Sequence, residues 1–130
     1  MSAWLLVAVG GAIGSVLRYG LGRWLMHGAP VQAFPYGTLA VNLLGCLAIG
    51  LVAEFLLLQR ILAPQPRLLL QTGILGGFTT FSAFGLETVL MLRREQWLAV
   101  AIYVSTSVLG GLLAVWLGMK AADGLGRLIK

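Results

Sequence analysis

Four long apolar stretches, parted by short polar connectors, constrain this chain more than any other feature. A helix needs about 20 mostly apolar residues to cross the hydrocarbon core of a bilayer. Stretches of that length run from about 3 to 25, 36 to 58, 68 to 92 and 97 to 119. The first contains Arg18 and Arg23. The second opens after Pro35 and carries Glu54 near its far end. The third contains Glu87, and the fourth has no charge. Gly28-Ala29-Pro30 and Pro64-Gln65-Pro66 are turn signals, and Arg93-Arg94-Glu95 is a tight polar turn. Trp4, Trp24, Tyr36, Trp97 and Trp116 fall near stretch ends, where amphipathic rings favour the headgroup level. The expectation is an all-α membrane protein with one transmembrane domain over residues 1–130. No Lys or Arg precedes Arg18, so the first stretch lacks the basic leader of a signal peptide and is expected to remain as the first span.

Composition agrees with that reading. Hydrophobic residues make up 59% of the chain and charged residues 10%, against roughly 25% charged in soluble domains. So few charges cannot clothe this much apolar sequence in water, which leaves lipid as the solvent for most of the surface. The net charge of +5 does not point to nucleic acid, because the basic residues sit at helix ends and not in a cluster. Cys46 is the only cysteine and His27 the only histidine, which excludes an intrachain disulfide, a zinc site or a histidine triad within one chain. A membrane enzyme built on such groups is correspondingly disfavoured.

Orientation is nearly undetermined by charge. An even number of spans puts both termini on one side. That side holds Arg60, Arg67, Lys120, Arg127 and Lys130, five in all, and the other holds Arg18, Arg23, Arg93 and Arg94, four in all. Excess positive charge normally fixes the cytoplasmic side, and here there is almost none. Either the chain is weakly oriented or it inserts both ways, which would permit an antiparallel dimer. A single four-helix chain fills its own interior with side chains, so an ion path is more easily built between chains. Gly10, Gly14, Arg18 and Gly22 recur every four residues, a small-residue face suited to close helix contact within one chain or between two.

The third stretch is the most informative. Gly76-Gly77-Phe78-Thr79-Thr80-Phe81-Ser82-Ala83-Phe84 falls in mid-span. Each glycine weakens a helix by about 1 kcal/mol relative to alanine, and threonine hydroxyls compete for backbone hydrogen bonds. A helix break is expected there. Freed carbonyls can hold a cation, and the new half-helix N-terminus favours an anion. Phe81, Phe84 and Glu87 then follow at helical spacing and share a face. Two phenylalanines three apart usually pack in a core; the alternative is that their electropositive rims let a small hard anion sit against them. Other spans supply polar partners: Thr38 and Asn42 four apart in the second, Tyr103 and Ser107 four apart in the fourth. Polar side chains inside a membrane are costly unless satisfied, which marks each as a functional candidate or a helix-to-helix contact.

Together these segments resemble the Fluc (CrcB) family of fluoride channels. The likeness covers nearly the whole chain. It rests on the run from Gly10 to Tyr19 with its Arg18, on the run from Gly37 to Gly45 around Asn42, and on Gly76-Gly77-Phe78-Thr79-Thr80-Phe81-Ser82. The resemblance implies a dual-topology antiparallel homodimer in the bacterial inner membrane, with two fluoride pathways. It implies that Phe81 and Phe84 line them with ring edges, that Asn42 is an anion-facing donor, and that Tyr103, Ser107, Ser82, Thr38 and Glu87 form a polar lining. Arg18 resembles the family's arginine near a pathway mouth. The backbone carbonyls of Gly76 and Thr79, from both chains, would hold a central structural sodium ion. Ala83 and Gly111 stand where many relatives carry hydroxyl residues. Two other readings compete: a coupled transporter of the small multidrug-resistance type using Glu87 as its carboxylate, and a membrane scaffold that only makes helix contacts.

Overall fold

The structure, a computed structural model, describes residues 2–30, 34–58 and 64–128. It is an all-α membrane protein, with four helical stretches long and apolar enough to cross a bilayer. Arg60 and Lys130, which enter the charge count, lie outside the described residues.

Helix α1 spans Ala3–Leu25, with Ser2 at its N-cap accepting from the Leu5 N–H. Helix α2 spans Tyr36–Leu58 and begins just after Pro35, where a ring with no N–H suits a helix start. The third stretch is two helices. Helix α3 (64–78) passes from an α-helical turn, Pro64–Arg67, through a wider π-wound segment, Leu68–Leu75, to a last turn, Gly76–Phe78. Helix α4 spans Phe81–Arg93. Helix α5 (97–128) is continuous but carries its own π-wound insertion, Thr106–Gly110, between Trp97–Ser105 and Gly111–Leu128. It runs past the apolar stretch that ends near 119, because Lys120, Asp123 and Arg127 make its last turns amphipathic and Arg127 bridges Asp123 at 2.9 Å.

Packing relies on glycine. A β-carbon at Gly10 would come within 2.8 Å of Gly73 Cα, and one at Gly14 would strike the Ile74 carbonyl, so α1 and α3 touch backbone to backbone. The small-residue face of α1 is therefore used within this chain over Gly10 and Gly14. α2 packs most extensively on the second half of α5. There a β-carbon at Gly118 would lie 2.9 Å from Leu51 N, and one at Gly50 would strike the Val115 carbonyl. α4 makes fewer contacts and joins the rest chiefly through specific polar and aromatic links.

The core is small, comprising Leu6, Val41, Met91, Tyr103 and Ala122 among the described residues. Apolar side chains instead dominate the outside, with Trp4, Trp24, Leu98 and Leu112 all widely exposed. Such a surface suits lipid or a partner chain.

Candidate ion pathway

The break in the third stretch is made by threonines, not glycines. Gly76 keeps helical angles (φ −64°, ψ −37°). The chain turns extended at Thr79 (φ −82°, ψ 157°) and Thr80 (φ −149°, ψ 115°). Gly77 instead serves contact, since a β-carbon on it would approach Gly11 O at 2.6 Å. The break therefore falls inside the expected segment, at its threonines and two to three residues past the diglycine, because side chains capture the backbone donors there.

Two captures define it. An unbroken helix would aim the Thr80 N–H at Gly76 O, but that N–H donates to Asn42 Oδ1 at 2.8 Å. Asn42 Nδ2 returns a bond to Thr80 O at 3.0 Å. An unbroken helix would likewise aim the Ala83 N–H at Thr79 O, but it donates to Thr80 Oγ1 at 3.2 Å, the usual role of a threonine N-cap. The carbonyls of Gly76 and Thr79 thus lose their helical donors to a side chain on α2 and a cap on α4. These are the two carbonyls that the resemblance assigns to a cation. Upstream, Thr79 Oγ1 donates to Leu75 O at 3.0 Å, and Ser15 Oγ on α1 lies 3.5 Å from Gly77 O.

A cleft of about 340 Å³ opens at the break. Asn42, Gly76, Thr79, Thr80, Phe81, Phe84 and Ser107 line it, with Gln71, Cys46 and Val108. Its wall is mostly apolar with few polar groups, as binding sites for small species usually are. Ser107 Oγ is buried and has no hydrogen-bond partner, the one such side-chain atom among the described residues. It sits just inside the π-wound part of α5, a local widening often found at functional positions.

From the break an aromatic file leads along α4. Phe81 meets Phe84 at 5.5 Å between ring centroids, and Phe84 meets Tyr103 at 5.2 Å. Tyr103 meets Phe34 edge-on at 5.5 Å, and Phe34 meets Tyr36 at 4.8 Å. Phe81 is 83% exposed, so within one chain its ring has little cover.

Beside the file lies a carboxylate held by two hydroxyls. Thr38 Oγ1 donates to Glu87 Oε1, and the Tyr103 hydroxyl donates to Glu87 Oε2, both at 2.6 Å. These short contacts join α2, α4 and α5 at one point. Glu87 also faces a second cavity of about 220 Å³ that reaches Arg94 and Met26. Arg18 lines a third, of about 290 Å³, with Ser15, Tyr19, Thr38 and Thr80.

The structure therefore joins most of the sequence candidates into two neighbouring groups. Asn42, Phe81, Phe84 and Ser107 share the cleft, and Thr38, Glu87 and Tyr103 share hydrogen bonds. Ser82 is exposed and reaches only Thr80, with its Oγ 3.3 Å from Thr80 Oγ1. Arg18 stands apart from the cleft, although Thr38 and Thr80 border its cavity. Sequence reasoning passed over the individual roles of Thr80 and Gln71, and over Phe34. An amide inside an apolar stretch was the available signal for Gln71; Phe34, just outside its span, gave none.

Comparison with known proteins finds relatives along most of the chain. Residues 5–119 match the model of a family described as CrcB-like protein, Camphor Resistance (CrcB). The fluoride-specific ion channel FluC of Chloroflexus aurantiacus is 48% identical over 95% of this chain and 94% of its own length. That of Rhizobium etli is 50% identical over 93% of this chain and 96% of its own. That of Methylobacillus flagellatus is 44% identical over 89% and 91%.

Proposed function

Because the chain belongs to the CrcB-like family, we propose that it is a fluoride-selective ion channel of the bacterial inner membrane that lets fluoride leave the cell passively. Three relatives that share about half its residues bear the name of a fluoride-specific ion channel. The observation that carries the reading in this chain is the rewired break, where Asn42 holds extended backbone open beside two phenylalanine rings. No step of bond making or breaking is required of any residue.

Fluoride is small and strongly hydrated, so a path through the bilayer must replace its water without holding it too tightly to leave. Donors at the cleft are the second N–H of Asn42 Nδ2, the unpartnered Ser107 hydroxyl and the first N–H groups of α4. Ring edges of Phe81 and Phe84 supply weak, evenly spread positive charge. Weak contacts in series favour passage over trapping. A path lined closely enough to replace the water of fluoride would work against the larger chloride by size. Further along, the charge of Glu87 is met by the protons of Thr38 and Tyr103, which moderates its repulsion of a passing anion. Ser82 adds a hydroxyl at the exposed side of the break, and Arg18 adds positive potential in the adjoining cavity.

The proposed assembly is an antiparallel homodimer with one pathway associated with each α4. An exposed Phe81 and the near-even charge count favour it. At the centre, Gly76 O and Thr79 O of each copy would hold a sodium ion. Their fit rests on the loss of both helical donors, which leaves two hard oxygen atoms suited to a hard cation. A bound cation there would supply fixed positive charge and tie the copies together.

Fluoride efflux from liposomes, read with a fluoride electrode, tests the reading. Fast fluoride loss with little chloride loss is expected. Flux no greater than from empty vesicles, or equal chloride flux, overturns it.

A further inference from the structure

The geometry points to Gln71 as a further fluoride-path donor, fixed in its donating orientation by Arg67. This inference rests on the fluoride pathway proposed above and adds a residue to it.

Gln71 lies in the π-wound part of α3, half-buried, on the wall of the same cleft as Asn42, Phe81 and Ser107. A primary amide accepts at one end and donates two hydrogens at the other, and its neighbours decide which end faces where. Arg67 Nε donates to Gln71 Oε1 at 3.0 Å. A guanidinium can only donate, so the oxygen must be the end turned toward it. The Nε2 group is then the end turned away. Among the described residues it has no acceptor, so both of its hydrogens are left for an occupant of the cleft.

Arg67 does more than orient. Its charge draws electron density toward Oε1, which strengthens the donors at Nε2 through the shared amide. Being exposed at the outer end of α3, it also raises the potential where an anion would arrive from that side. Gln71 stands between Arg67 and the break. An anion following α3 inward meets this amide before it meets Asn42.

Two isosteric substitutions separate donation from a structural tie. Gln71→Glu keeps an oxygen for Arg67 and strengthens that contact, but removes the donors. Gln71→Met removes both. Unitary fluoride current in planar bilayers, with assembly checked by size exclusion, is the readout, and wild-type protein runs alongside. Both variants are expected to assemble and to lose about tenfold in current, the factor for one hydrogen bond of ordinary net strength. Current within about twofold of wild type in both overturns the assignment, given that normal variation at neutral sites is of that size. Loss in Gln71→Glu alone also overturns it, since charge repulsion then suffices. Should neither assemble, Arg67→Gln at the exposed helix end decides: the freed amide can rotate, and current falls, whereas unchanged current overturns the proposal. Wild-type protein without fluoride current overturns the pathway itself, and this assignment with it.

Discussion

Asn42 and Thr80, from different helices, exchange two hydrogen bonds, with Nδ2 to the Thr80 carbonyl at 3.0 Å and the Thr80 N–H to Oδ1 at 2.8 Å. Asn42 Oδ1 thus stands in for the Gly76 carbonyl that an unbroken helix would offer the Thr80 N–H, while Nδ2 adds a donor to the Thr80 carbonyl. Asn42→Asp keeps the acceptor but sets a carboxylate oxygen against the Thr80 carbonyl. It is expected to cost about 1–3 kcal/mol, the penalty for an unmet buried polar group. Thermal unfolding in detergent measures this, and liposome efflux should fall with it. A variant of unchanged melting temperature and flux would remove the clamp from the account.

Glu87 collects two hydroxyl donors, so their effects should not add. Tyr103→Phe and Thr38→Val each remove one 2.6 Å bond to the same carboxylate. Each single change is expected to cost about 1.5–3 kcal/mol, as for hydrogen bonds to charged groups. The double variant should depart from their sum by at least about 0.5 kcal/mol, the usual mark of groups in one network. Strict additivity in a double-mutant cycle would mean that the two hydroxyls act independently.

Close approach of α1 and α3 predicts a sharp contrast between glycines on one helix. Gly14→Ala drives a methyl into the Ile74 carbonyl, and about 1–3 kcal/mol of destabilisation is expected from overpacking. Gly20→Ala meets nothing within 4 Å and should be no less stable than wild type, with a gain of up to about 1 kcal/mol from helix propensity. Thermal unfolding of both variants checks the contrast. Equal melting temperatures would show that the helices are not held at this distance.

Phe81 is 83% exposed, whereas Phe84 touches both Phe81 and Tyr103. Phe81→Ile should therefore leave helix content by circular dichroism unchanged while fluoride efflux falls severalfold, by loss of ring-edge contacts worth about 0.5–1.5 kcal/mol. Undiminished efflux would take that ring out of the pathway.

A near balance of positive charge predicts that topology can be pushed to one side. Arg93→Gln with Arg94→Gln changes the split of five and four to five and two. Such a bias should fix a single orientation, seen with a reporter at the C-terminus that reads only one side. Fluoride flux should disappear when this variant is expressed alone, because antiparallel pairing needs both orientations. Retained flux with one orientation would argue for a parallel assembly.

Sequence made the helical spans legible because lipid imposes a length and a polarity on each. It also marked the interrupted segment, since Gly76, Gly77, Thr79 and Thr80 are poor helix formers together. What it hid was cause. Within the segment it marked, Gly76 stays helical, and the failure at Thr79 and Thr80 depends on Asn42, 38 residues away from Thr80 in the chain. Local propensity has no access to a donor captured at that separation. The partners of Glu87 were hidden for the same reason, since Thr38 is 49 residues distant and Tyr103 is 16. Phe34 lies outside every apolar stretch, and only the packed structure brings its ring to Tyr103.

The interruption between α3 and α4 also ties two distant parts of the chain together. The Thr80 N–H, released from its own helix, is met by Asn42 on α2, and at membrane depth no water stands ready to take its place. A change at Asn42 is therefore felt as an orphaned amide on another helix, so the two stretches stand or fall together.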